Sequence, residues 1–162
     1  MERRLAEPLL PLEPWPGTPT DDARRRVLEA EASVLADLCA GRAPAAAERL
    51  RFEAYAHGAV SFGDRWATSR VARAEELLAE AARQRRDLEA AWLSWRTTWW
   101  IRHALKAPGQ PRRDLTMGLL DLATGRVDLA REHLSSAHTA AAGELAAEVS
   151  GLLRLLSSGD IP

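Results

Sequence analysis

The stretch LADLCAGRAPAAAERL (Leu35 to Leu50) lies without a gap on LLDLATGRVDLAREHL (Leu119 to Leu134), and eight of the sixteen positions are identical. The matched pairs include Asp37 with Asp121, Gly41 with Gly125, Arg42 with Arg126, Ala46 with Ala130 and Leu50 with Leu134. Chance alone would match roughly one position in ten, so the window reads as a repeat. Its pattern spells an antiparallel helix pair. Leucines close one helix, a glycine takes the tight left-handed turn, and a small alanine lets the returning helix approach closely. A chain built from such units buries its apolar faces by stacking helices on helices.

Composition extends that reading to the whole chain. Of 162 residues, 31 are Ala, and 21 of the 22 basic residues are Arg, the exception being Lys106. Both are strong helix formers, β-branched residues are scarce, and no segment reads as a strand. The same skew is what a GC-rich bacterial genome produces. The expected fold is all-α, an antiparallel helical-hairpin stack of about six to seven helices with a Pro-rich N-terminal extension. Residues 1–17 hold four of the nine prolines together with Leu9, Leu10, Leu12 and Trp15. They read as an extended strap packing on the body, or else as a tail, ahead of one helical domain over 18–158.

Within that domain, Thr18 is placed to cap a helix with Pro19 at its first position, and Gly41 to stop it. Further helices are expected over 44–57, with Leu50 and Phe52 on the apolar side, then over 64–85 and 87–105. The segment Gly58 to Gly63 reads as a break and Lys106 to Arg113 as a loop. Three more helices fit 114–124, 127–141 and 143–157. In the last of these, Leu145, Val149, Leu152, Leu153 and Leu156 form one stripe, and Leu155 lies off it. That helix is expected to cap the stack, or to form a homodimer surface if Leu155 and its neighbours are exposed.

Charge and cysteine content remove several classes. With 22 basic and 23 acidic residues the net charge is −1, which gives no global attraction to nucleic acid or an anionic membrane. One cysteine excludes an internal disulfide framework and fits a reducing compartment. No apolar run is long enough to span a bilayer, and Glu7, Pro8 and Pro11 interrupt any signal-peptide core after Arg3 and Arg4, so the chain is expected to be cytoplasmic.

Around the second hairpin, Gly118, Gly125, Ala130, Leu134 and Ala137 follow in spacing and type the signature of the tetratricopeptide repeat, which the hairpin resembles. Ala74, Leu78 and Ala81 look like the second helix of another unit. Trp92, Trp95 and Trp99 then fall where a following unit places its large residues. The likeness covers about half the chain, lacks the usual closing proline at Ala142, and breaks at the Pro-rich segment after Leu105. What the resemblance implies is a non-catalytic docking or adaptor surface for a peptide or partner protein.

Four of the six tryptophans stand between positions 92 and 100. On a helical wheel Leu88, Trp92, Trp95 and Trp99 share one face, and Leu93, Trp100 and Ala104 form a second. Between them runs a polar stripe spaced by seven: Glu89, Arg96 and His103. A helix with two buried faces belongs in the middle of a stack. Its stripe is then either an ordinary wet face or the floor of a partner-binding groove formed by Glu89, Trp92, Arg96, Trp100 and His103. In the groove reading Arg96 and His103 meet an acidic group and the two tryptophans form walls. Membrane-surface adhesion is a third reading of Trp with Arg.

Other constellations carry less. His133 and His138 are five apart, which turns them to different helix faces, so no metal site is expected. Cys39 reads as a buried inert thiol and His57 as a helix-end residue. Glu75, Glu76, Glu80 and Glu89, interleaved with Arg70, Arg73, Arg83, Arg85 and Arg86, read as a salt-bridged exposed surface. The runs Arg24 to Arg26 and Arg83 to Arg86 support a runner-up reading, a nucleic-acid-associated regulator, although acidic residues flank both. A third reading is an enzyme, for which Asp87, Glu89 and His103 are the clustered acid–base candidates. No phosphate-binding glycine loop or dinucleotide fingerprint is present, and no cofactor is expected.

Overall fold

The structure is a computed structural model that describes residues 22–61 and 63–159. Among the described residues it is all-α, with seven helices and no strand. The helices are α1 (Asp22–Cys39), α2 (Ala47–Val60), α3 (Arg65–Gln84), α4 (Leu88–Ala104), α5 (Gln110–Ala123), α6 (Val127–Ala140) and α7 (Gly143–Ser158). The chain divides between Leu105 and Lys106 into two compact units. The sequence expectations for residues 1–17 and for the Thr18–Pro19 cap lie outside the described residues.

In the first unit α3 packs against α1, α2 and α4, and α1 also packs on α2. Val27, Ala30, Val34, Leu35 and Leu38 of α1 meet Leu50 and Ala54 of α2 and Ala74, Leu77 and Ala81 of α3 in one apolar core. Each large aliphatic side chain buried there contributes about 1.5–3 kcal/mol. In the second unit α5 packs on α6, and α6 on α7.

The two repeated turns are the same turn. Gly41 and Gly125 have φ of +68° and +79°. Each glycine N–H donates to a leucine carbonyl three residues back, Leu38 or Leu122, at 3.1 Å. The following arginine N–H donates to an aspartate carbonyl, Arg42 to Asp37 at 2.8 Å and Arg126 to Asp121 at 2.7 Å. This double closure satisfies the orphan carbonyls of the helix end, and glycine fits because the left-handed region carries no Cβ penalty for it. In the second hairpin Gly118 also has a packing role: a Cβ there would stand 2.7 Å from Leu134 Cγ. Ala130, Leu134 and Ala137 are fully buried.

Several sequence expectations are corrected. Helix α2 runs through Gly58 to Val60, and Gly58 is a packing point within it: a Cβ there would lie 3.0 Å from Val71 Cγ2. Phe52 is exposed, not packed beside the buried Leu50, since two residues apart on a helix means opposite sides. The loop after Leu105 is shorter than expected. Helix α5 already starts at Gln110 with Pro111 in its first turn, where proline's missing N–H costs no hydrogen bond. Cys39 is exposed rather than buried. In α7 only Val149 and Leu156 are fully buried, with Leu145, Leu152 and Leu153 half-buried.

The largest correction concerns α3. Arg70, Glu75, Glu76 and Glu80 were expected on a wet surface and are buried. A helix flanked by three others has little solvent-facing side, so its charged residues must find partners inside.

Candidate functional site

Helix α4 is set by its start. The Arg86 N–H donates to the Arg83 carbonyl and the Asp87 N–H to the Ala82 carbonyl, both at 2.9 Å, which reverses the chain after α3. The Asp87 carboxylate then accepts from the Ala90 N–H at 3.1 Å and caps the new helix.

The rotation of α4 on α3 is fixed by a buried ionic network. Glu76 of α3 accepts from Thr98 Oγ1 at 3.1 Å and from Arg102 Nε at 2.9 Å, and pairs with Arg73 at 3.6 Å. Thr98 and Arg102 are one turn apart on α4, so both must face α3 for Glu76 to hold them. Behind them Arg70 donates to both oxygens of Glu31 on α1, at 3.3 and 3.1 Å. Burial pushes the Glu31 carboxyl up, while Arg70 and then Arg73 pull it back down. Burial likewise lowers the Arg70 guanidinium, with Glu31 opposing. Both shifts point to charges held in a poorly solvated interior. The alternation of Glu and Arg was legible in the sequence; its burial was not.

With that face turned inward, Ala91, Trp92, Ser94, Trp95 and Thr98 are buried. The other side of α4 presents Glu89, Leu93, Arg96, Trp100 and His103 to solvent. Their spacing alternates four and three residues, which places all five on one narrow seam along the helix. The second apolar face expected from the sequence is therefore not buried. Leu93 is 58% and Trp100 57% exposed, and they interleave with the polar stripe rather than standing apart from it. Trp92 leaves the proposed set: it is buried, and the Arg96 guanidinium lies over its ring at 5.2 Å from the centroid.

Trp99, half-buried, braces the end of the seam. Its ring meets Trp100 edge-on at 5.2 Å and stacks on His103 at 5.4 Å with 6° between the planes. Rings held this way present a rigid aromatic surface with little rotamer freedom left to lose on binding. Glu89 and His103 stand fourteen positions apart, about 21 Å along the helix axis, and Asp87 is engaged as the cap, so the acid–base candidates do not converge.

Elsewhere in this unit a hollow of about 250 Å³ lies between the α1–α2 turn and the end of α3, walled by Arg42, Gln84 and Arg85 among others. It is smaller than the roughly 300–1,000 Å³ of ordinary ligand pockets. In the second unit Asp121, fully buried, faces His133 Nδ1 at 2.6 Å. His138 is exposed, and no three His, Cys, Asp or Glu side chains among the described residues are grouped to hold a metal ion. No described helix is long and apolar enough to cross a membrane.

Comparison with protein-family models, with curated proteins and with solved structures gives no match to this chain.

Proposed function

We propose that the protein is a non-catalytic, cytoplasmic docking module whose α4 seam binds an acidic, amphipathic helical segment of a partner protein. The observation that carries this reading is the pair Leu93 and Trp100, two large apolar side chains left exposed seven residues apart with Arg96 between them. A helix laying its own apolar residues on such a seam buries both anchors at once. Arg96 and His103 then select carboxylates on the partner's flanks, and Glu89 selects a basic residue at the other end. The likeness of the hairpins to tetratricopeptide repeats supports the same class of role, and Gly118 beneath Leu134 and the buried Ala130 and Ala137 are the contacts through which it is expressed.

The nucleic-acid reading is weaker because the arginine runs already hold carboxylates. Arg24 pairs with Asp64, Arg25 with Asp22, Arg26 with Glu53, Arg83 with Glu80, and Arg85 approaches Asp87. The enzyme reading is weaker because its candidates Asp87, Glu89 and His103 do not converge on one point. Leu155 of α7, 48% exposed, supports a second contact between copies, which sedimentation across concentration would test.

The test is a displayed peptide library selected on the intact chain and counter-selected on the Leu93→Ser/Trp100→Ala variant. Enrichment of sequences with large apolar residues at three- and four-residue spacing, flanked by Asp or Glu, is the expected result. Peptides that bind the variant equally well, or that show no acidic preference, would overturn the reading.

A further inference from the structure

A second apolar surface lies on α2. Phe52, Tyr55, Ala56, Ala59 and Val60 are all exposed, Phe52 at 70% and Val60 at 87%. Glu48, Phe52, Tyr55 and Ala59 alternate four and three residues apart, which draws a single seam along the helix. Ion pairs border it on both sides. Arg26 of α1 meets Glu53 at 3.4 Å along one edge, while Arg51 and the Tyr55 hydroxyl both reach Glu75 of α3 along the other, at 3.3 and 3.0 Å. The bond to Glu75 also fixes the Tyr55 ring, so little rotamer freedom is left for it to lose in a contact. An apolar centre with a polar rim is the anatomy of a contact surface.

The charges at the start of the seam say what covers it. Glu48 and Arg49 are exposed, and no ion pair or hydrogen bond among the described residues engages either one. They stand on opposite sides of the line from Phe52 to Ala59, an acid on one border and a base on the other at nearly the same level. Such a face is complementary to itself. Laid beside an identical helix running the same way, each Glu48 meets Arg49 of the second copy while Phe52 meets Phe52. Antiparallel pairing about Phe52 would instead set Glu48 against Ala56 of the second copy, an acid against an apolar residue. The helix carries two acidic and two basic side chains besides His57, so it selects neither an acidic nor a basic partner.

We propose that α2 pairs with α2 of a second copy in a parallel, two-fold dimer, with Phe52 at the axis and Glu48 and Arg49 exchanged between the copies. With 14 residues, α2 is about 21 Å long. Two such faces bury less than the roughly 1,200 Å² of a standard stable interface, so the dimer is weak and depends on concentration.

Sedimentation equilibrium of the full-length chain from micromolar to millimolar concentration tests this. The chain should pass from monomer to dimer across that range. Phe52→Ser, a change at an exposed position, should weaken the association at least tenfold, while Leu155→Ser on α7 should leave it unchanged. Glu48→Arg and Arg49→Glu should each weaken it through like-charge repulsion, and an equimolar mixture of those two variants should restore dimers as heterodimers. A monomer up to millimolar concentration would overturn the proposal. So would a mixture that associates no better than either charge variant alone. Dimers that survive Phe52→Ser and dissociate in Leu155→Ser would overturn it too, and would assign the contact to α7.

Discussion

Asp37 and Asp121 occupy the same position of the same turn, yet Asp37 is a surface residue and Asp121 is sealed inside. Asp37 accepts from the Arg42 side chain at 3.0 and 3.1 Å and from the Ala45 N–H at 3.3 Å. Asp121 has no exposed side-chain area and faces His133, whose counterpart in the first copy is Arg49, an exposed residue. Asp121→Ala should therefore cost about 1–3 kcal/mol by leaving His133 facing a buried gap. Asp37→Ala, which loses a surface ion pair, should cost about 1 kcal/mol or less. Urea unfolding of the two variants gives the comparison.

The Arg70–Glu31 pair is worth little as a unit and much as a constraint. Arg70→Met should destabilise by about 3–5 kcal/mol, because it strands a buried carboxylate. The double variant Arg70→Met/Glu31→Leu should recover most of that loss. The pH dependence has a definite sign. A carboxyl raised above its ordinary value of 4.5 holds its proton in the folded chain where the unfolded chain has released it, so its contribution is present at low pH and lost as pH rises through the folded-state value. Removing Arg70 takes away the strongest influence pulling Glu31 down, so the Arg70→Met deficit should be largest near neutral pH and shrink on acidification. Unfolding curves between neutral pH and the ordinary carboxylate range check this.

Gly118 is required by contact, not by backbone. A methyl group there would stand 2.7 Å from Leu134 Cγ and 2.8 Å from Cδ2. Gly118→Ala should cost about 1–3 kcal/mol through overpacking. Thermal unfolding of this variant and of Gly151→Ala, where a Cβ meets nothing within 4 Å, separates crowding from helix propensity.

Arg86 is the reverse case. It takes the left-handed turn position with φ +61°, in the same hydrogen-bonded closure that Gly41 and Gly125 use elsewhere. Arg86→Gly should stabilise the protein by about 0.5–1 kcal/mol, the relief of left-handed strain less the extra freedom glycine gives the unfolded chain. Gly125→Ala should destabilise it by about 1 kcal/mol. Matched denaturation of both variants is the measurement.

Trp92 and Trp100 should part company. Trp92→Ala empties a buried site and should cost about 3–5 kcal/mol. Trp100→Ala gives up an exposed ring with one edge contact to Trp99 and should cost less than about 1.5 kcal/mol, while abolishing capture of the selected peptides. Calorimetry read beside peptide binding distinguishes the two roles.

The sequence by itself determined the helices and the turns. Helix propensity, the leucine spacing and the repeated Gly–Arg turn act over a few neighbouring residues, so α1, α3, α4, α6 and α7 stand within a few residues of where the pattern places them. Proline and glycine misled where tertiary context decides their meaning: Pro111 sits harmlessly in a first turn, and Gly58 is the point where Val71 packs in. Only the tertiary structure decided which side of each helix faces water. The Glu and Arg alternation of α3 is the same string whether it lies on a surface or among three helices, and what selects the interior is the number of neighbours around it. The seam of α4 follows from that choice. Glu76 grips Thr98 and Arg102 across the helix pair, turning Leu93 and Trp100 outward, and a contact between residues more than twenty positions apart is not written in local spacing.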